Sequence, residues 1–457
     1  MSGILPEHDD PLLERALLAA RDTKFLVLGG GVRHDSARVF GSVFGPVPAV
    51  VVADEWTFQA AGRDVHESFE RANHPLAAPI LLPSNVYADE SAVNTIQRRL
   101  EAIPGIPVAV GSGTINDLTK LASHRAGRPY MAVATAASMD GYTAYGASIT
   151  ARGSKQTFDC PAPKAVLADL DVIALAPSYM NASGYADLLA KNVAGADWIL
   201  ADAVGVEPID PAIWDTVQSH LRDWVGSPKG VARGEPDALR NLVQGLMMGG
   251  FAMQAAQTSR PASGAEHQFS HLWDMQHHTY QGAAPSHGFK VGVGTLASLA
   301  LYEDLLHQDV GRLDVDALVA GWPTLETVEN RIVEHFGAGA LAAKAIEETR
   351  AKEPSPEALR DQLTRLCQNW PGIQERLHRH LIPFVEAKGM LRDAGCPFEP
   401  EQIGISRLRL RGSYESAGYI RRRFTVLDVV KRLGVFESAM EQLFGPDGRW
   451  SSQRGRS

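Results

Sequence analysis

The chain has 457 residues, 45% hydrophobic and 21% charged, the balance of a globular protein with core enough for two or three domains. A net charge of −9 without any long basic run excludes a general nucleic-acid binder and does not suit an anionic membrane surface. No apolar run reaches membrane-spanning length, and three scattered cysteines without a CxxC pair, Cys160, Cys367 and Cys396, suit a reducing cytosol.

The opening stretch, MSGILPEHDDPLLERALLAARD, carries acids where an export signal needs bases, so none is expected. Lys24–Leu28 is the first predicted strand, stopped by three glycines, and Ala49–Val52 is the second, ending near Asp54. Pro79–Leu82 follows, then a helical pattern over Glu90–Ile103. Pro107–Val110 predicts a fourth strand running into Gly111-Ser112-Gly113-Thr114, with a helix over Ile115–His124 and a fifth strand at Tyr130–Val133. Apolar runs that do not alternate, separated by helices, indicate a parallel sheet buried on both faces.

After Asp169 the texture changes. Helical patterns dominate from Ala186 to about Leu443, broken at Gly226–Gly234, Pro261–Gly264 and Gly282–Pro285. The tail beyond Asp447 is polar and is expected to be loose. The expected fold is α/β: a Rossmann-like, doubly wound parallel sheet over residues 1–176, then an all-helical domain over 177–457, with a cleft between them.

Three strand ends carry candidate chemistry. In VGSGTINDLTK, glycines let the backbone approach a phosphate, and the helix that opens there presents unpaired N–H groups. The turn is not a full GxGxxG, so the ordinary dinucleotide fingerprint fails. Asp54 stands where an acid can accept from a ribose diol, or where it can cap the following helix. The third, residues 135–141 (TAASMDG), places small hydroxyl residues and one acid on the same edge.

Five of the fifteen histidines fall between His267 and His287, a crowding that suggests a metal site. Adjacent His277 and His278 point in different directions on a helix and are expected to be surface or packed residues. His267 and His271 are spaced to share a helix face, but Glu266 precedes His267, so the zincin order is absent. Two histidines hold a catalytic ion poorly, and Asp187, in SGYADLLAK, is the carboxylate selected to complete the set. On spacing alone it reads more readily as a first-turn acid or as a partner of Lys191.

GSGTINDLTK, TAASMDGYTAYGAS, APKAVLADLDVIALAP, SGYADLLAK…ADW, GAEHQFSHLWDM and HGFKVGVGT occur in this order. Together with YIRRRFTVLDVVKRLGV they resemble the sn-glycerol-1-phosphate dehydrogenases, in their bacterial, arabinose-operon-associated branch, within the dehydroquinate synthase and iron-containing alcohol dehydrogenase superfamily. The resemblance implies a dehydroquinate synthase-like fold and metal ligands Asp187, His267 and His287. It implies that Gly113, Thr114, Ile115, Asn116 and Asp117 hold the cofactor pyrophosphate. Thr135, Ala136, Ala137 and Ser138 would hold the nicotinamide half, Asp54 the adenosine ribose, and Asp140 and His271 the substrate, along with Asp187. The family's serine two residues after the position of Tyr142, a contact to the cofactor, is absent here, and Thr143 is the expected substitute.

The same resemblance implies a cytoplasmic enzyme using NAD or NADP and one divalent ion, zinc or nickel with iron as a further option, on a small phosphorylated polyol, as a homo-oligomer. The expected reaction interconverts dihydroxyacetone phosphate and sn-glycerol 1-phosphate. Dehydrogenation of glycerol or another polyol, and a dehydroquinate synthase-like cyclisation, are the alternatives, the last disfavoured by an aspartate at the metal. Lys155, Lys164, Lys191 and Lys290 are candidate cations near these motifs, none selected for the substrate phosphate.

Overall fold

A computed structural model describes residues 11–151 and 154–451 of the chain, which pack as two compact units. The first takes in residues up to Leu188, together with Ala212–Pro261 and Asp393–Cys396. Its strands, in chain order, are β1 (Phe25–Gly29), β2 (Ala49–Asp54), β3 (Ile80–Leu82), β4 (Ile106–Gly111), β5 (Met131–Ala134), β6 (Ala147–Ala151), β7 (Ser154–Phe158) and β8 (Ala165–Asp169). Six of them form one sheet in the order β1-β8-β5-β4-β2-β3, and every neighbouring pair is parallel. Residues Ala49 to Ala53 and Val108 to Val110 are almost wholly buried, as expected for strands covered on both faces.

The five strands expected from sequence are present, and β8 completes the sheet beside β1. The hairpin of β6 and β7 forms a separate antiparallel pair. Winding reverses between β2 and β4: from β2 the chain moves outward to β3, and from β4 it moves the other way to β5. Such a reversal opens a crevice beyond the strand ends. Asp54 and Gly111 are the last residues of those two strands.

The second unit comprises Leu189–Pro211, Ala262–Arg392 and Pro397 onward, and its described residues form helices without strands. Helices Ala265–Met275 and His287–Leu306 lie close together, because Gly294 has no side chain: a Cβ there would stand 2.4 Å from the Glu266 carbonyl oxygen. Buried aromatic residues tie this pair to its neighbours. Trp273 Nε1 donates to Ser413 Oγ at 3.0 Å, and Tyr414 OH donates to the Ala297 carbonyl at 2.8 Å.

The tail departs from its expected looseness. Trp450 is 1% exposed and its Nε1 donates to Tyr414 OH at 2.9 Å, so burial of one indole outweighs the polar surroundings as far as Ser451. Residues 452–457 lie outside the described residues. No helix among the described residues is long and apolar enough to cross a membrane.

Candidate metal and nucleotide site

The turn after β4 is shaped by its glycines in two ways. A Cβ on Gly111 would meet Ile115 Cβ at 2.5 Å, so this glycine permits tight strand–helix packing. A Cβ on Gly113 would meet Met139 Cε at 2.9 Å. Helix Gly113–Arg125 begins at Ser112, and its first turn bond runs from Asn116 N–H to the Ser112 carbonyl at 3.0 Å. The amides of Gly113, Thr114 and Ile115 precede that bond and form the helix's positive end.

The side chains at 115–117 face inward instead. Ile115 is fully buried, and Asn116 accepts from Tyr130 OH at 3.1 Å. Asp117 Oδ2 accepts from Ser148 N–H at 3.1 Å, bracing the hairpin. One turn on, the buried Lys120 ammonium donates to the carbonyls of Gly141, Ala144 and Gly146, each at 2.9 Å. It staples the segment 141–146 onto the helix that follows the glycine turn.

Asp54 satisfies its capping role with one oxygen. Its Oδ1 accepts from Thr57 N–H at 2.7 Å, and Thr57 Oγ1 accepts from Asp54 N–H at 3.1 Å, a reciprocal capping box. Oδ2 takes no part in that box.

The loop after β5 is held from behind by helix Ser178–Leu189. Asn181 Oδ1 accepts from Ala137 N–H at 3.1 Å, and Ser183 Oγ donates to the Ser138 carbonyl at 3.4 Å. A Cβ on Gly184 would lie 1.9 Å from the Ala137 carbonyl oxygen, so helix and loop are in backbone contact. Thr135 N–H donates to the Gly111 carbonyl at 3.1 Å, which joins this loop to the glycine turn. On the same helix Asp187, fully buried, accepts from Asp140 N–H at 3.1 Å through Oδ2. Thr143 is fully buried and its hydroxyl donates to the Met247 carbonyl at 2.7 Å, so it braces helix Pro236–Ala256.

His267 and His271 stand one turn apart on helix Ala265–Met275, and His287 opens the next long helix, with Ser286 as its cap. The His267 and His287 rings are 5.3 Å apart, and His271 lies 6.2 Å and 6.4 Å from them. Asp187, His267 and His287 each offer one ligand atom, and these atoms all lie within 4.8 Å of one another. Two imidazoles and a carboxylate at that spacing fit a first-row divalent ion with positions left open. His267 Nδ1 donates to Glu266 Oε1 at 2.7 Å.

His277 is exposed in a left-handed backbone conformation, φ 51°, just past the helix end. His278 is pinned between the Ile403 carbonyl (2.7 Å) and an Arg409 guanidinium N–H (2.7 Å), and burial lowers its pKa. Both are therefore set apart from the metal cluster, as expected. Among the candidate lysines, Lys164 precedes β8, at the edge opposite the strand ends, and faces Asp22 at 3.7 Å. Lys290 pairs with Asp274, and Lys191 is fully buried. The side chain of Lys155 lies outside the described residues. Burial raises the Cys160 thiol to about 12 and pushes those of Cys367 and Cys396 up, so none is a ready thiolate.

Residues that sequence reasoning missed are Asn181, Gly184, Lys120 and Glu266, which hold the site from behind. For Glu266 a signal was available: a carboxylate directly beside a ligand histidine.

Residues 27–177 match the iron-containing alcohol dehydrogenase family. A glycerol-1-phosphate dehydrogenase of Geobacillus thermodenitrificans, NAD(P)+-dependent by its name, is 32% identical over 384 residues, covering 83% of this chain and 85% of the relative. The enzyme of the same name from Pyrococcus furiosus is 30% identical, covering 61% and 78%. Among solved structures, glycerol dehydrogenase from Schizosaccharomyces pombe superposes with a TM-score of 0.58 at 16% identity, over 95% of this chain and 92% of that one. Sulfoacetaldehyde reductase from Bifidobacterium kashiwanohense, in complex with NAD+, gives 0.57 at 12% identity, over 92% and 97%. These two likenesses are of fold.

Proposed function

The chain belongs to the glycerol-1-phosphate dehydrogenase family, and from that premise we propose how its residues perform the reaction. The enzyme interconverts dihydroxyacetone phosphate and sn-glycerol 1-phosphate with NAD(P) and a divalent ion. In the reducing direction a hydride is added to the carbonyl carbon and a proton to its oxygen. When bound, the ion polarises that oxygen as a Lewis acid and the reduced nicotinamide supplies the hydride.

The convergence of Asp187, His267 and His287 carries the chemical assignment. These three would hold the ion, zinc, nickel or iron, since the donor set alone does not discriminate among them. The amides of residues 113–115 receive the pyrophosphate at the helix N-terminus, with Asn116 and Asp117 shaping the turn. Residues 135–138 form the wall for the nicotinamide half. Asp140, whose N–H is fixed by Asp187, and the imidazole of His271 meet the substrate, and His271 exchanges the hydroxyl proton with solvent. Residues 1–176 serve the nucleotide, with Asp140 reaching the substrate, and 177–457 supply the metal ligands and His271. The setting is cytoplasmic, and the working form is a homo-oligomer. The deciding experiment follows nicotinamide absorbance with dihydroxyacetone phosphate, glycerol 1-phosphate and unphosphorylated glycerol, on metal-stripped protein reloaded with zinc, nickel or iron. Equal activity on free glycerol would reject the phosphorylated substrate.

Asp54 accepts from the ribose 2′-hydroxyl and repels a 2′-phosphate, so the enzyme favours NAD. Asp54→Asn keeps an oxygen for the Thr57 cap and removes the charge. It is expected to shift the NAD-to-NADP ratio of kcat/KM toward NADP on the order of tenfold, about 1.4 kcal/mol. A wild-type preference for NADP removes this role.

His271→Ala is expected to retain stoichiometric metal and normal cofactor affinity while kcat/KM falls about 10²- to 10⁴-fold, the span of general acid–base contributions. Metal analysis with cofactor titration separates the roles. Lost metal makes His271 a ligand or its support, and near-normal turnover makes it structural.

A further inference from the structure

Glu266 is a fully buried carboxylate with an unusual balance of partners. Its Oε1 accepts from Gly264 N–H at 2.6 Å and from His267 Nδ1 at 2.7 Å. Its Oε2 is buried and accepts no hydrogen bond among the described residues. The basic side chain paired with it, among the described residues, is His267. A buried carboxylate without a strong cation of its own is costly.

The surroundings leave this carboxylate one position. A Cβ on Gly264 would stand 2.8 Å from Glu266 Oε2 and 2.4 Å from Asp197 Oδ2. Asp197 is in turn held by Tyr302 OH at 2.6 Å, Val426 N–H at 2.8 Å and Ala265 N–H at 2.6 Å. Gly294 lets the next helix close on the Glu266 backbone. The carboxylate is therefore built in on several sides, at the start of the helix that carries His267.

An ionised carboxylate only accepts, so the bond to His267 requires a hydrogen on Nδ1. In the neutral ring the lone pair then belongs to Nε2. We infer that Glu266 is a positioning residue that fixes the tautomer and orientation of His267 for metal binding through Nε2. This rests on the proposed metal site of Asp187, His267 and His287. A cation on the far side of the imidazole also supplies the positive charge that the buried carboxylate otherwise lacks, and the carboxylate makes the ring a stronger donor. The competing role is that of an acid at a helix N-terminus, which would stabilise the fold and leave metal affinity unchanged.

The test measures zinc affinity of the full, metal-stripped chain by competition with a chromophoric chelator, alongside NADH titration and thermal unfolding without metal. Glu266→Ala is expected to weaken zinc binding about 10- to 100-fold, with NADH affinity retained. Glu266→Gln keeps an acceptor for Nδ1 and Gly264 and loses the charge, so it should fall between wild type and Glu266→Ala. If Glu266→Ala does not fold, Glu266→Gln decides. Wild-type zinc affinity in the folded variants would overturn the inference, even if thermal stability dropped. A wild type that binds zinc no more tightly than Asp187→Ala would overturn the metal site itself, a different failure.

Discussion

Asp187→Ala, His267→Ala and His287→Ala are each expected to lose bound metal and activity together. Their ligand atoms lie within 4.8 Å of one another, and removing one of three protein donors leaves an ion held by two side chains. Loss of Lewis-acid polarisation costs several kcal/mol at the transition state, and about 4 kcal/mol corresponds to a loss of about 1,000-fold in rate. His277→Ala is the control, because that side chain is exposed beyond the helix end. Elemental analysis of the purified variants with turnover measurements checks the set. An essential His277 and a dispensable His287 would refute the ligand assignment. Asp187→Ala carries a second effect, since its Oδ2 also holds the Asp140 N–H. It should therefore weaken substrate binding even at saturating metal, beyond what His287→Ala does.

Lys120→Met should produce the second large effect, on stability and on the cofactor together. The Lys120 ammonium is enclosed and satisfies three carbonyls, of Gly141, Ala144 and Gly146. Methionine fills a similar volume and donates nothing, so the Ala144 and Gly146 carbonyls lose the ammonium, while the Gly141 carbonyl still accepts from Asn116 Nδ2 at 3.3 Å. Unsatisfied buried groups cost about 1–3 kcal/mol each, which for two carbonyls predicts destabilisation of about 2 kcal/mol or more. Because Lys120 lies on the helix that presents the amides of 113–115, release of the 141–146 segment should also weaken NADH binding. Urea denaturation of the metal-free protein and NADH titration provide the two readouts. An unchanged urea midpoint would show that the carbonyls find other donors. Lys120→Arg, which retains the charge but not the compact three-way donor, should be intermediate.

The parallel sheet was legible because strands covered on both faces must be continuously apolar, and Ala49–Val52, Pro107–Val110 and Tyr130–Val133 all are. Helix period likewise placed His267 and His271 on one face, and the crowding of histidines pointed to a candidate metal site. Ordered motifs then selected Asp187, which local spacing left undecided. Other features arise only when distant segments meet. Residues 212–261 pack in the sheet unit, where Gln254 Nε2 donates to the Thr143 carbonyl at 2.6 Å, and no local pattern encodes such a long-range bond. The tie of the Thr143 hydroxyl to the Met247 carbonyl is likewise absent from local sequence, because a hydroxyl's partner is chosen by what folds against it. Trp450 in a polar tail finds a buried slot beside Tyr414. The residue types and their spacing determined which chemistry this protein can perform. Only tertiary packing decided which side chains are committed to holding that chemistry in place, since a buried donor or acceptor must be satisfied by whatever group the fold brings to it.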